Sequence, residues 1–175
     1  EAVQVLRHEP VNAVELLDRQ SLKSVENANG VPPFIKGLPD GCCALLVETH
    51  TQTEEELVKN VDEITESINH FETTLPFIFT RDPREIAAFW KIRQEALPTV
   101  AGLRKTGTTA VIEDVCFPVD TLAKAVTDLR EVLHKNHYDD AGIFGHALAG
   151  NLHFMFNQDF QTKTEVDRFH KFMDE

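Results

Sequence analysis

Hydrophobic positions recur along this chain with two periods, near two and near 3.6 residues, and their order sets out most of the fold. Residues 11–17 carry Val11, Ala13, Val14, Leu16 and Leu17 with little polar interruption, a strand that leads into a short helix over 19–25. Residues 27–41 bring Gly30, Pro32, Pro33, Gly37, Pro39 and Gly41, a density of breakers that makes a loop. A second strand is predicted over 43–49. Thr53 followed by Glu56 is a capping-box pattern, in which two side chains satisfy free N–H groups at a helix start. Leu57, Val61, Ile64, Ile68 and Phe71 then follow at helical spacing. Residues 75–80 read as a short strand. Asp82, Pro83 and Glu85 open another helix, with proline at the first helical position, and Pro98 is expected to stop it. Residues 98–108, with Gly102, Gly107, Arg104 and Lys105, read as a mobile loop.

Residues 110–117 form a further strand closed by Pro118, and Leu122, Val126, Leu129 and Leu133 mark the next amphipathic helix. The stretch from Gly145 to His153 then places His146 and His153 at either end of a glycine-bounded turn. Ile143 and Phe144 precede it, and beyond it Leu152, Phe154 and Phe156 alternate with Asn151, His153, Met155 and Asn157. That alternation turns Asn151 and His153 away from the apolar face. Gly145 and Gly150 allow backbone conformations closed to other residues, so the two strands can fold back and bring the imidazoles together. Thr162 with Glu165 caps a final helix whose stripe is Val166, Phe169 and Met173. Strands and helices alternate, but the last two strands form a hairpin, so the sheet is at least partly antiparallel. The expected class is α+β, one domain over residues 1–175 with helices packed on one face of the sheet.

The chain's 175 residues, 42 % hydrophobic, suit a single domain with a real core. Its 29 acidic against 17 basic residues give a formal charge of −12, which repels phosphate backbones and argues against nucleic acid as a partner. No apolar run approaches the roughly 20 residues of a transmembrane helix, and no leader pattern opens the sequence. Cys42, Cys43 and Cys116 have neither zinc-knuckle nor iron–sulfur spacing, and a reducing compartment is the default. A start at Glu1, in mid-pattern and without methionine, is expected of a piece of a longer polypeptide. No glycine-rich phosphate loop is present, so any cofactor-binding domain is expected outside the chain.

Neutral imidazole is a common metal ligand, so His146 and His153 are candidate ligands that still need a third from elsewhere; burial as structural residues is the alternative. In the helix that starts at Asp82, the expected buried stripe is Ile86, Phe89, Trp90 and Leu97, and Arg93 falls on that face. Either it covers apolar surface and pairs with one of the many acids, or its planar fork clamps the carboxylate of a small substrate. Arg104 and Lys105 either add positive potential for that anion or are a solvated loop pair. Glu113 and Asp114 interrupt an apolar strand, and either one orients a ligand, answers Arg93 or faces water. His8, His50, His70, His134, His137 and His170 lack comparable context and read as surface or structural residues.

Five segments together resemble one family: Glu15–Asp18 (ELLD), Leu45–Glu48 (LLVE), Trp90–Arg93, Glu113–Val115 with the strand end at Pro118, and the double-histidine turn. The family is the carboxy-terminal substrate or cap domain of FAD-linked oxidases, a group that includes D-lactate dehydrogenases, a glycolate oxidase subunit and D-2-hydroxyglutarate dehydrogenases. The resemblance covers nearly the whole chain. It implies a ferredoxin-like antiparallel cap over an FAD bound by a separate domain. It also implies a divalent metal such as zinc on His146 and His153 in metal-using members, completed by a later glutamate. Arg93 matches the substrate-carboxylate arginine, and Asn151 lies where flavin and substrate meet. The turn departs from many relatives in reading Ala-Leu-Ala, and position 155 is Met where some metal-using relatives have a polar residue. The chain stops at Glu175 before the family's Glu-His segment, so the fragment is expected to be inactive alone. The form of the turn is similar to large members that carry iron–sulfur modules, though this chain has no cluster ligand set.

The resemblance implies oxidation of a D-2-hydroxy acid to the 2-oxo acid by hydride transfer from C2 to flavin N5. His146 and His153 would act in catalysis, Arg93 and Asn151 in binding substrate, and Asn151 beside the cofactor. The downstream electron acceptor is undetermined. The implied setting is cytoplasmic, or peripheral to the inner face of the membrane in the full-length enzyme. Two rival readings stand: a metal-dependent hydrolase using the same two histidines, and a non-catalytic ferredoxin-like interaction module with Trp90 and Arg93 as its hot spot.

Overall fold

The computed structural model describes residues 1–102 and 104–175, and the backbone alone over 97–101. Among the described residues five strands, β1 (Ala13–Asp18), β2 (Cys43–Glu48), β3 (Thr108–Cys116), β4 (Gly142–His146) and β5 (Asn151–Asp159), form one sheet in the order β2-β1-β4-β5-β3. Every neighbouring pair is antiparallel. The helices are α1 (Ala2–Leu6), α2 (Arg19–Val25), α3 (Glu54–Ile68), α4 (Pro83–Gly102), α5 (Leu122–Lys135) and α6 (Lys163–Asp174). β3 and β4 run in the same direction with β5 between them, and α5 connects them. This is the split βαβ arrangement of ferredoxin-like sheets.

Local sequence explains several element boundaries. The Thr53 hydroxyl accepts from the Glu56 N–H at the start of α3, and Thr162 does the same for Glu165 at α6. Asp18 ends β1 and caps α2 by accepting from the Ser21 N–H at 2.9 Å. The expected α+β class and antiparallel sheet are observed. The helices, expected on one face, cover that face and also reach the other. Val14, Leu16, Ile143, Leu152, Phe154 and Phe156 pack against α1, α3, α5 and α6. On the opposite side Leu17, Phe144 and Met155 are apolar too, and α2 and α4 cover them with Leu22, Val25, Ile92 and Ala96. A sheet with apolar residues on both sides needs cover on both.

Four local expectations are corrected. Residues 75–80 form no strand: Pro76 has no N–H to give a ladder, and Leu75, Phe77, Ile78 and Phe79 stay exposed. Pro98 does not end α4, which continues to Gly102, so the first residues of the expected loop are helical. An interior proline costs about 3 kcal/mol, which a 20-residue helix anchored by buried Ile92 and Ala96 tolerates. On that helix Ile86 is exposed and Phe89 and Trp90 are half-buried, while the Leu97 side chain lies outside the described residues. In α6, Phe172 is the buried residue and Met173 is exposed. The short α1, which carries little periodicity, buries Val3 and Leu6 in the main core.

Candidate functional site

Cross-strand pairing places the candidate residues in two adjacent rows on one face of the sheet. Glu15 pairs with His146, His146 with Asn151, and Asn151 with Cys116. One step along, Leu17 pairs with Phe144, Phe144 with His153, and His153 with Asp114. Directly opposed residues point to the same side of a sheet, as do residues two apart on one strand. The rows therefore bring Glu15, His146, Asn151, His153 and Asp114 together from four strands. The apolar Leu152 and Phe154 point the other way, into the core.

The hairpin geometry depends on its two glycines. Gly150 has φ +66°, and a Cβ there would lie 1.8 Å from the Phe117 carbonyl oxygen. The contact is close because the Phe117 N–H donates to the Gly150 carbonyl at 2.9 Å, extending the β3–β5 pairing around the turn. Gly145 has φ +155°, and its Cβ would meet the Asn151 carbonyl oxygen at 2.4 Å. Ala147–Ala149 form a short 3-10 turn between them. His146 and His153 thus end with ring centroids 5.6 Å apart, edge to face.

Each imidazole is tied to a carboxylate. His146 Nδ1 lies 2.7 Å from Glu15 Oε1, and His153 Nδ1 lies 2.5 Å from Asp114 Oδ1. An ionised carboxylate only accepts, so opposite one each ring donates through Nδ1–H and keeps Nε2 as its acceptor nitrogen. Arg93, reaching over from α4, donates through Nε to Glu15 Oε2 at 2.7 Å, and its Cζ sits 5.1 Å above the Phe144 ring. Asn151 donates to Asp114 at 3.3 Å. Arg93 and Glu15 are largely buried, whereas the side chains of His146 and Asp114 are 56 % and 66 % exposed. The arrangement can therefore hold an anion at a guanidinium and accept a proton, or a metal, at two neighbouring nitrogens.

The residues singled out in the sequence, His146, His153, Arg93 and Asn151, come together. Of the alternatives open for Arg93, pairing with one of the chain's acids is observed. Arg93 is answered by Glu15, not by Glu113 or Asp114, and Asp114 instead holds His153. Arg104 and Lys105 precede Thr108, the end of β3 that lies six residues, or roughly 20 Å at the rise of a strand, from Asp114. Glu15 was the residue missed. Its one local signal was an acid set among apolar strand residues, and its partners are 78 and 131 positions away. Among the described residues no group of three or more His, Cys, Asp and Glu side chains is placed to hold a metal ion. No helix of the described residues is long and apolar enough to cross a membrane.

A family model described as FAD linked oxidases, C-terminal domain, matches residues 1–175. The chain is 28 % identical over 168 residues to the mitochondrial D-lactate dehydrogenase (cytochrome) of Arabidopsis thaliana, a match covering 93 % of this chain and 28 % of that protein. It is 27 % identical over 156 residues to glycolate oxidase subunit GlcD of Bacillus subtilis (strain 168), covering 89 % of this chain and 31 % of that one. The chain thus spans less than a third of either relative.

Proposed function

This chain belongs to the family of FAD linked oxidase C-terminal domains, and on that premise we propose that it is the substrate-side cap of an FAD-dependent oxidoreductase. The enzyme converts a D-2-hydroxy acid, of the lactate, glycolate or 2-hydroxyglutarate type, to the 2-oxo acid. What supports the reading is the meeting of one guanidinium and two carboxylate-held imidazoles at a sheet end where His146 and Asp114 face outward.

Oxidation removes a hydride from C2 and a proton from the hydroxyl. FAD, held by a domain outside the described residues, supplies the acceptor for the hydride. Arg93 binds the substrate carboxylate by charge-assisted hydrogen bonds and fixes its orientation. His153 accepts the hydroxyl proton at Nε2 while Asp114 keeps its Nδ1–H in place. Asn151, paired with His146 across β4 and β5, would contact substrate and flavin. With a divalent metal such as zinc bound, His146 and His153 would instead be two of its ligands through Nε2, and the metal would acidify the substrate hydroxyl in place of His153 as base; the other ligands would come from outside the described residues. Any iron–sulfur module belongs to other parts of the polypeptide.

The test is to supply the full-length protein with D- and L-lactate, glycolate and both 2-hydroxyglutarates, together with an artificial electron acceptor. Formation of 2-oxo acid from glycolate or a D-enantiomer is expected. No turnover on the whole panel rejects the reading and favours a non-catalytic interaction module built around Trp90 and Arg93.

A further inference from the structure

We infer that Glu15 is a positioning residue that sets both halves of the site at once, fixing the proton of His146 on Nδ1 and holding Arg93 by Nε. The inference rests on the reading above and deepens it.

The two oxygens of Glu15 serve different partners: Oε1 takes His146 Nδ1 and Oε2 takes Arg93 Nε, each at 2.7 Å. A carboxylate kept only to satisfy a buried arginine has a better option, the bidentate fork-to-fork pairing. Dividing the oxygens gives that up. Burying the pair is not a general route to stability either, because apolar residues of similar volume are often as stable. The division does have two consequences for chemistry. Because Glu15 binds through Nε, its bond does not consume the two Nη groups, which are the bidentate end that matches a substrate carboxylate. Because Glu15 can only accept, a neutral His146 carries its proton on Nδ1, and Nε2 stays an acceptor toward whatever enters the site. His146 is half-exposed at the tip of β4, and this bond anchors its ring to a group that is itself 5 % exposed. Asp114 plays the corresponding part for His153, but as an exposed residue shared with Asn151.

The discriminating variant is Glu15→Gln, which keeps the shape of the side chain. Its amide oxygen can still accept from Arg93 Nε, but its NH2 can only donate to His146, which moves the imidazole proton to Nε2. In the full-length enzyme kcat is expected to fall about 10- to 100-fold, the usual effect of removing a histidine's carboxylate partner, while KM for the hydroxy acid changes by less than about threefold. A proportionate loss in kcat and rise in KM, accompanied by a lower melting temperature, would mean a merely structural role and overturn the inference. The second readout needs no turnover. Nitrogen NMR of histidine-labelled, chelator-treated full-length protein, at a pH where the ring is neutral, should show His146 with Nδ1–H in the wild type and Nε2–H in Glu15→Gln. Wild-type His146 with Nε2–H overturns the inference even if the variant does not fold. Turnover on hydroxy acids with an unchanged tautomer in the variant removes Glu15 and leaves the proposed function standing. The expected tautomers without turnover do the reverse.

Discussion

The two faces of the sheet are made from alternate residues of the same strands, yet one is sealed and the other half open. Leu152, Phe154 and Phe156 are buried beneath the helices, and Phe172 closes over the last two. Their neighbours Asn151 and His153 stand on the opposite side, where α2 and α4 cover Phe144 and Met155 but leave His146 and Asp114 exposed. The sealed face gains its stability from non-directional burial of apolar area. The open face is organised by directed bonds, in which Glu15 and Asp114 each hold an imidazole. Folding and the proposed chemistry are thus assigned to opposite sides of the pleat, and a change on one side of β5 should leave the other side's property nearly untouched.

Four substitutions probe that separation, from the largest expected effect to the smallest. His153→Ala on the open face should lower kcat of the full-length enzyme by about 10²- to 10⁴-fold, the usual contribution of a general base, while its urea midpoint stays near that of the wild type. Its sealed-face counterpart Phe156→Ala should cost about 3–5 kcal/mol of unfolding free energy in urea titration, with KM unchanged in the fraction that remains folded. If Phe156→Ala raised KM as strongly as it lowered stability, the two faces would not be independent. Arg93→Ala should weaken binding of the 2-oxo acid product by about 1.5–3 kcal/mol, read as an inhibition constant. Asp114→Asn should have the smallest effect, roughly 0.2–1 kcal/mol of the Asp114–His153 attraction. Added salt should shrink that term further because Asp114 is exposed, whereas buried Glu15 should show no such salt dependence. Equal salt dependence for the two acids would break the contrast between them.

Much of this division was legible in the sequence, because a period of two residues states which side of a strand is apolar. The alternation from Asn151 to Asn157 separated His153 from Phe154 without any structure. The capping threonines Thr53 and Thr162 likewise marked helix starts that are observed. Register is where local pattern stopped. Whether Asp114 or Glu15 answers Arg93 depends on β3 pairing β5 and β1 pairing β4, contacts between segments more than 30 residues apart in sequence that no window can see. Glu15 was hidden for the same reason. The strand expected over 75–80 failed because apolar composition can mark surface as well as core, and Pro76 denies that segment a full ladder.

The most direct test of the proposed chemistry is anaerobic mixing of the full-length flavoprotein with the D-2-hydroxy acid that its steady-state panel selects, followed by flavin absorbance. Rapid bleaching is expected in the wild type, bleaching in Arg93→Ala only at much higher substrate concentration, and a slow rate in His153→Ala that saturating substrate does not restore. Identical reduction in all three proteins would place the chemistry away from this face of the sheet and contradict the central claim.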